Sequence, residues 1–490
     1  MKMEATALQN WINGLDRRMY GLLVGLAVGV LGGLVGLLVA VGGPLVAFGA
    51  IFGVLAALYV LSNVSAALYG VILVTFLLPF GTLPFKIAVT PTFLDMALGA
   101  FLVVYLAQWM TGQRRSFRAT PVHAVLLLYI AWLIFCFVLG MRYGLPTSAN
   151  LRQFAETLLS ISMVFILCDL LREPAALRRL VLVVMLAVTL QALIAIILYF
   201  LPENTTESLL VRLARFGYPN GGVIRHIEDN PDLAERAIGT WVDPNALGGV
   251  LAVSATMIAP QIFAAKPVLR WRWLSFLSLG LVSVALVLTF SRASMLGFGI
   301  GVVFIGLFPR YRKFIPLMLL GAVLLLLLPQ TQSYIERFSQ AFTATDLATQ
   351  MRLGEYSDSL KLIQQYPIFG VGFTGTPSIE IYTNVASMYL IMANQIGLVG
   401  VGIYILLILA VFLYAAQVRR ATGRSPELES IHLGYHAALI AALINASADL
   451  YFFRMDFQGS ITLFWLVLAL ALASSRLGGE LTVAKPELVR

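Results

Sequence analysis

Apolar residues in this chain gather into runs of bilayer-spanning length, broken by short polar stretches rich in Arg, Pro and Gly. A hydrocarbon core about 30 Å thick requires roughly 20 apolar residues per helix. On that measure spans are expected near 19–41, 45–62, 65–80, 92–110, 121–140, 151–170, 180–201, 244–265, 273–290, 293–308, 314–329, 386–416, 431–450 and 457–475. The expected fold is an all-α polytopic membrane protein of about 14 transmembrane helices, or 12 if one hairpin in 42–80 is not formed. Five parts follow: an N-terminal transmembrane bundle (1–201), a first outer loop (202–243), central helices (244–329), a large outer loop (330–385), and C-terminal helices with a tail (386–490). The first run follows a charged start and is not followed by a small-residue cleavage site, so it is expected to be retained as a helix rather than removed as a signal peptide. Its Gly21, Gly25, Gly29, Gly32 and Gly36 suggest a seam for close helix packing.

Composition narrows the function. Hydrophobic residues make up 60% of the 490 residues and charged ones 12%, against about 45–50% and about 25% in soluble proteins. A water-soluble enzyme, a disordered chain and a nucleic-acid-binding domain are thereby excluded, and the net charge of +9 is too dispersed to line a groove for DNA. Cys136 and Cys168 both lie in apolar runs, which suggests neither a disulfide framework nor a zinc site. The absence of an ATP-binding motif leaves the substrate or a gradient as the energy source.

Charge fixes an expected orientation. With the N-terminus inside and the spans alternating, the cytoplasmic segments hold 21 of the 33 Lys and Arg against 8 of the 24 Asp and Glu, a balance of +13. The outer face and spans hold the remaining 12 against 16, a balance of −4. Basic residues favour the cytoplasmic side, so both termini are expected there. The two long loops then face outward, and the second carries an amphipathic helix from near Asp346 to before Pro367, with Leu353, Tyr356, Leu360 and Ile363 on its apolar face.

Three arginines of the outer remainder stand at helix starts. Arg236 precedes a span that opens with Asp243 as N-cap and Pro244 as first helical residue. Arg292 follows Ser291, a second potential cap, at the turn between two spans, and Arg352 lies on the amphipathic helix. Helix N-termini bring unpaired N–H groups and about half a positive charge, and arginine forks bind phosphate oxygens in pairs. Two such ends together would form a diphosphate clamp on the outer face. A bare cap at Asp243 and headgroup-snorkelling arginines are the structural alternatives.

At these residues the chain resembles the O-antigen ligase and O-antigen polymerase superfamily of bacterial envelope glycosyltransferases. Arg236 with GTWVDPNALG, then TFSRAS, then Arg352 to Tyr356, then YPIFGVGF follow that family's order across roughly residues 230–400. The resemblance implies a bacterial inner-membrane enzyme of polysaccharide or lipopolysaccharide biosynthesis. Its donor would be a glycan linked to undecaprenyl diphosphate, its acceptor a glycan or glycolipid, and it would need no metal and no nucleotide cofactor. Arg236 and Arg292 would hold the diphosphate, and Arg352 would orient the donor or stabilise the leaving group. Asp243, Asn245, Ser291, Tyr356 and Tyr389 would line the substrate site.

One departure bears on the reaction. Ligases carry His-Asn-x-Tyr-Leu after the large loop, where this chain reads ASMYL, with Ala386 and Ser387 in place of His-Asn and Tyr389-Leu390 retained. That favours a polymerase, with a ligase as the alternative. His123, His432 and His436 fall toward the cytoplasmic side, and His226 reads as a solvated residue of the first outer loop. A general base would then be Glu355, Asp358, Glu235 or Asp232. A transporter or flippase is the competing class; it would be expected to show repeated halves and charges at mid-membrane, and apart from Asp95 and Glu156 near outer span ends the first half has few acids.

Overall fold

A computed structural model describes residues 57–83, 90–326, 347–375 and 385–483, with isolated positions between 16 and 53. The expected spans at 19–41 and 45–62 lie largely outside the described residues. Long apolar runs favour helix because the backbone then satisfies its own hydrogen bonds in hydrocarbon. The helices are α1 (Val64–Leu77), α2 (Phe93–Met110), α3 (Val122–Gly140), α4 (Ser148–Leu170), α5 (Pro174–Phe200), α6 (Glu203–Val211), α7 (Pro244–Ile258), α8 (Arg272–Leu288), α9 (Arg292–Gly306), α10 (Phe314–Leu326), α11 (Leu347–Gln365), α12 (Met388–Arg424), α13 (Glu429–Asn445) and α14 (Gln458–Val483). A two-residue hairpin, β1 (Arg225–His226) with β2 (Glu235–Arg236), is the only sheet among the described residues. Among the described residues, seven helices are long and apolar enough to cross a membrane, and α1, α8 and α9 are shorter apolar helices.

The chain forms two compact units. Met1–Gly70 with Ala100–Ser116 is the first, and in it Arg114 donates from Nε to Gln108 Oε1 at 2.8 Å beyond the end of α2. At Gly21, Gly25, Gly29 and Gly32 nothing lies within 4 Å of where a Cβ would stand. Gly36 and most of the residues around these glycines lie outside the described residues.

The second unit, Val71–Gly99 with Phe117–Arg490, contains the bundle. Its centre is α14, whose apolar window is wholly buried, and α7, whose window is 94% buried. A helix apolar all round belongs in such a core. Helix α14 packs on α4, α12 and α13, while α13 packs on α7 and α9. Helix α8 packs on α5 and α7.

The YPIFGVGF segment has an architectural role. Helix α12 is broken at Gly397 (φ 68°, ψ 176°), in its first third, which takes backbone groups there out of the helical pattern. Residues 367–372 pass through the break and pair with them: Val371 N donates to Asn394 O (2.8 Å), Gly372 N to Gln395 O (2.9 Å), and Leu398 N to Pro367 O (2.8 Å). Trp132 Nε1 on α3 donates to Ile396 O at 3.0 Å. Irregular backbone within a membrane bundle is tolerated when protein groups satisfy it in this way. A Cβ on Gly372 would stand 2.4 Å from Gly140 Cα, and one on Gly397 would stand 2.0 Å from Ile368 O. Those contacts require glycine.

Helix α11 forms at the expected place, but its inward face differs from the apolar one read in the sequence. Leu353 and Leu360 are 54% and 52% exposed. The buried side instead presents Ser359 and Leu362, with Tyr356 and Glu355 hydrogen-bonded to Ala386. Polar contacts, rather than apolar periodicity, set the helix rotation.

Candidate functional site

The GTWVDPNALG segment is anchored residue by residue. Trp241 is fully buried and donates from Nε1 to Phe76 O at 3.1 Å. This fixes a tight turn, with Val242 at φ 62°, ahead of α7. Asp243 caps α7, its Oδ1 accepting from Asn245 N and Ala246 N at 2.8 Å each. The cap expected from the sequence is present, and it changes the expected clamp. Because the Asp243 carboxylate already takes first-turn N–H groups of α7, that helix end is not an open anion site. Asn245 instead turns its side chain to Arg236, whose Nη2 donates to Asn245 Oδ1 at 2.6 Å and whose Nε donates to Thr289 O at 2.8 Å. Gly248 lets α7 approach the next turn, since a Cβ there would lie 2.8 Å from both Ser291 and Ser294.

That turn joins α8 to α9 through Phe290, a non-glycine residue at φ 53°. Ser291 occupies the N-cap position of α9, but its side chain does not cap the helix. Its Oγ lies 2.8 Å from Ser294 Oγ instead, because the buried α7–α9 contact draws the hydroxyl sideways. Asn445 at the end of α13 donates from Nδ2 to Ser294 Oγ (2.9 Å) and to Asp449 Oδ2 (3.1 Å). The α9 N-terminus is thus tied to the loop that follows α13.

Arg236, Arg292 and Arg352, contributed by β2, α9 and α11, line one cavity of about 160 Å³. Asn245, Ser291, Phe290, His226, Glu228 and Asp229 complete most of its wall. Glu228 (φ 57°) and Asp229 (φ 53°) are non-glycine residues in the left-handed region, like Phe290 and Val242. Such conformations cost of order 1–3 kcal/mol each and cluster at functional sites. All four such residues among those described belong to this cavity or to the turn beneath it.

His226 differs from its sequence reading as a solvated loop residue. Pairing of β1 with β2 sets it opposite Glu235, its side chain is 14% exposed, and its Nε2 lies 3.5 Å from Glu203 Oε1. Burial raises the pKa of Glu235, with the nearby Glu203 charge adding to the shift. Asp232 is exposed beyond the cavity.

The remaining sequence candidates fall elsewhere. Glu355 Oε2 accepts from Ala386 N (3.0 Å) and Tyr356 donates its hydroxyl to Ala386 O (3.1 Å), so both grip the backbone where the ligase motif carries its histidine. Burial pushes the Tyr356 hydroxyl pKa up, and Arg352 opposes the shift. Asp358 pairs with Lys361 at 2.9 Å. Tyr389 donates to Leu443 O at 2.8 Å. None of these four lines the arginine cavity.

Two residues in the loop after α13 escaped sequence reasoning. Asp449 is 4% exposed; burial pushes its carboxyl up from 3.8 to about 7, opposed by the charge of Arg352 and assisted by Asp243. Tyr451 stands beside Asp243 and Asn245. Apart from a lone aspartate near the end of an apolar run, the sequence offered no signal for either. Among the described residues no group of three His, Cys, Asp or Glu is arranged to hold a metal ion.

Arg292 and Arg352, with the helices that carry them and the broken α12, fall within one segment, residues 276–405, that matches the model of the family described as O-antigen ligase. This segment is similar to that family. The matched segment takes in most of α8, then α9, α10, α11 and the first part of α12, while Arg236 and Asn245 reach the arginine cavity from the preceding sequence. No curated protein matches the chain. Residues 276–405 are thus similar to the O-antigen ligase family, in a chain whose described residues include seven helices long and apolar enough to cross a membrane.

Proposed function

We propose that the protein is a glycosyltransferase of bacterial envelope polysaccharide synthesis, moving a glycan from a polyprenyl diphosphate to an acceptor glycan on the outer face of the inner membrane. The observation that carries this reading is the junction of two cavities of opposite character. Below the arginine cavity, α8, α9 and α10 enclose an apolar groove of about 460 Å³. Val287 and Met295 line that groove and also pack on Ile227 and Phe290, and Phe290 is part of the arginine cavity wall. A ligand with a long apolar tail and an anionic head fits that sequence of surfaces.

In this mechanism the acceptor hydroxyl attacks the anomeric carbon of the donor as the bond from that carbon to the diphosphate oxygen breaks. Negative charge builds on the departing diphosphate, where Arg236, Arg292, Arg352 and the N-terminal end of the α9 dipole stabilise it. His226, held beside Glu203, takes the acceptor proton. Ala386 has no titratable side chain to act where the ligase histidine would stand, and this favours polymerisation over transfer to a second acceptor type.

The test is incubation of purified protein with undecaprenyl-diphosphate oligosaccharide and gel analysis of the products. A ladder is expected. Transfer only to an added second acceptor would assign ligation instead, and uptake of intact donor into proteoliposomes without any product would overturn the reading in favour of transport.

A further inference from the structure

A third cavity, of about 580 Å³, opens between α9, α12 and α13 at the opposite end of these helices from Arg292 and Met388. Its walls are apolar, including Phe304, Leu307 and Phe412, and Arg419, His432 and His436 stand among them. Arg419 lies over the Phe308 ring, 4.4 Å from its centroid. The two imidazoles, one helical turn apart on α13, have ring centroids 4.3 Å apart. Ionisable groups among membrane helices are costly and are retained mostly for function, and the proposed transfer reaction uses none of these three.

Hydrogen bonding fixes what the cavity offers. His436 Nδ1 donates to His432 O at 2.7 Å. Ser474 donates its own proton to Ala471 O at 2.7 Å, so its 3.2 Å contact with His432 Nδ1 is made as an acceptor. Neutral His432 therefore carries its proton on Nδ1 and keeps the Nε2 lone pair for another donor. The cavity combines a guanidinium, an imidazole acceptor and an apolar wall, beside a rim where Arg310 pairs with Glu429. Arg312, Lys313, Arg420 and Arg424 lie in the sequence at the same helix ends.

We propose that this cavity binds one anionic glycerophospholipid from the bilayer leaflet at the basic end. Its phosphate rests on Arg419, a headgroup hydroxyl donates to His432, and an acyl chain lies along Phe304, Leu307 and Phe412. Basic pockets between helices on that side of a membrane bind such headgroups, and charge complementarity favours phosphate over a neutral occupant.

Native mass spectrometry of the purified full chain tests this with phosphatidylglycerol, phosphatidylcholine and inorganic phosphate as probes. One retained phosphatidylglycerol is expected, weaker retention of phosphatidylcholine, and no displacement by phosphate. Arg419→Ala should weaken phosphatidylglycerol binding about tenfold, the size of one charge-assisted contact. Arg419 is exposed, so this variant should fold. Ala416→Trp, which narrows the apolar wall without touching the charges, should also displace the lipid. Equal retention of both lipids, unchanged binding in both variants, or displacement by inorganic phosphate alone would overturn the proposal.

Discussion

Arg236 donates through Nη2 to Asn245 Oδ1 at 2.6 Å while its Nε holds Thr289 O. One guanidinium thus ties the β1–β2 hairpin to the first turn of α7 and to the end of α8. Lysine keeps the charge but cannot make both bonds. Arg236→Lys should therefore lose glycan transfer nearly as completely as Arg236→Ala, while Asn245→Ala should cost about tenfold, the value of one charged hydrogen bond. Initial rates on the lipid-linked donor check this; full activity in Arg236→Lys would remove the bidentate role.

Glu355 serves as an acceptor for the Ala386 amide. If it only fixes that backbone, Glu355→Gln should retain most activity because the amide oxygen still accepts, and Glu355→Ala should lower thermal stability by about 1 kcal/mol. A general base would behave in the opposite way, with Glu355→Gln inactive. Tyr356→Phe should match Glu355→Ala in stability.

His226 and Glu203 supply the sharper catalytic test. His226→Ala should reduce the transfer rate by about a hundredfold or more, the usual range for a lost general base. Donor binding, read by lipid retention on the purified protein, should change little. Glu203→Gln should have a smaller effect in the same direction. Normal turnover in His226→Ala would transfer the role to another group.

Asp449 makes stability depend on pH. Its folded pKa of about 7 lies above the ordinary 3.8, so the folded state holds a proton that the unfolded chain releases. Stability is greatest below pH 4 with respect to this group and is lost as pH rises toward about 7. Asp449→Asn keeps an acceptor for Asn445 without the charge. Its melting temperature in detergent should exceed that of the wild type at pH 8, and the gap should close at pH 4. A gap that does not vary with pH would show that Asp449 is not the responsible group.

Gly397 and Gly402 stand on the same helix, yet a Cβ meets Ile368 O at the first and open space at the second. Gly397→Ala should cost about 3 kcal/mol or more through strain and lost pairing at the break. Gly402→Ala should be neutral or slightly stabilising, by at most about 1 kcal/mol. Thermal unfolding of the two purified variants separates them.

The sequence by itself determined the apolar helices among the described residues closely, along with the Asp243 cap, but not α6 within the loop it expected at 202–243. Each rests on local physics: a long apolar run must close its own hydrogen bonds in a bilayer, and a cap spans three residues. Only the tertiary structure decided which groups meet. It brought Arg352 to Arg236 across more than a hundred residues, drew His226 inward by pairing β1 with β2, and buried Asp449 beneath them. It also turned Leu353 and Leu360 outward, because contacts from Glu355, Tyr356 and Ser359 to distant backbone and side chains outweighed the helix's own apolar pattern. Such choices depend on partners far away in the chain, and no local pattern encodes them.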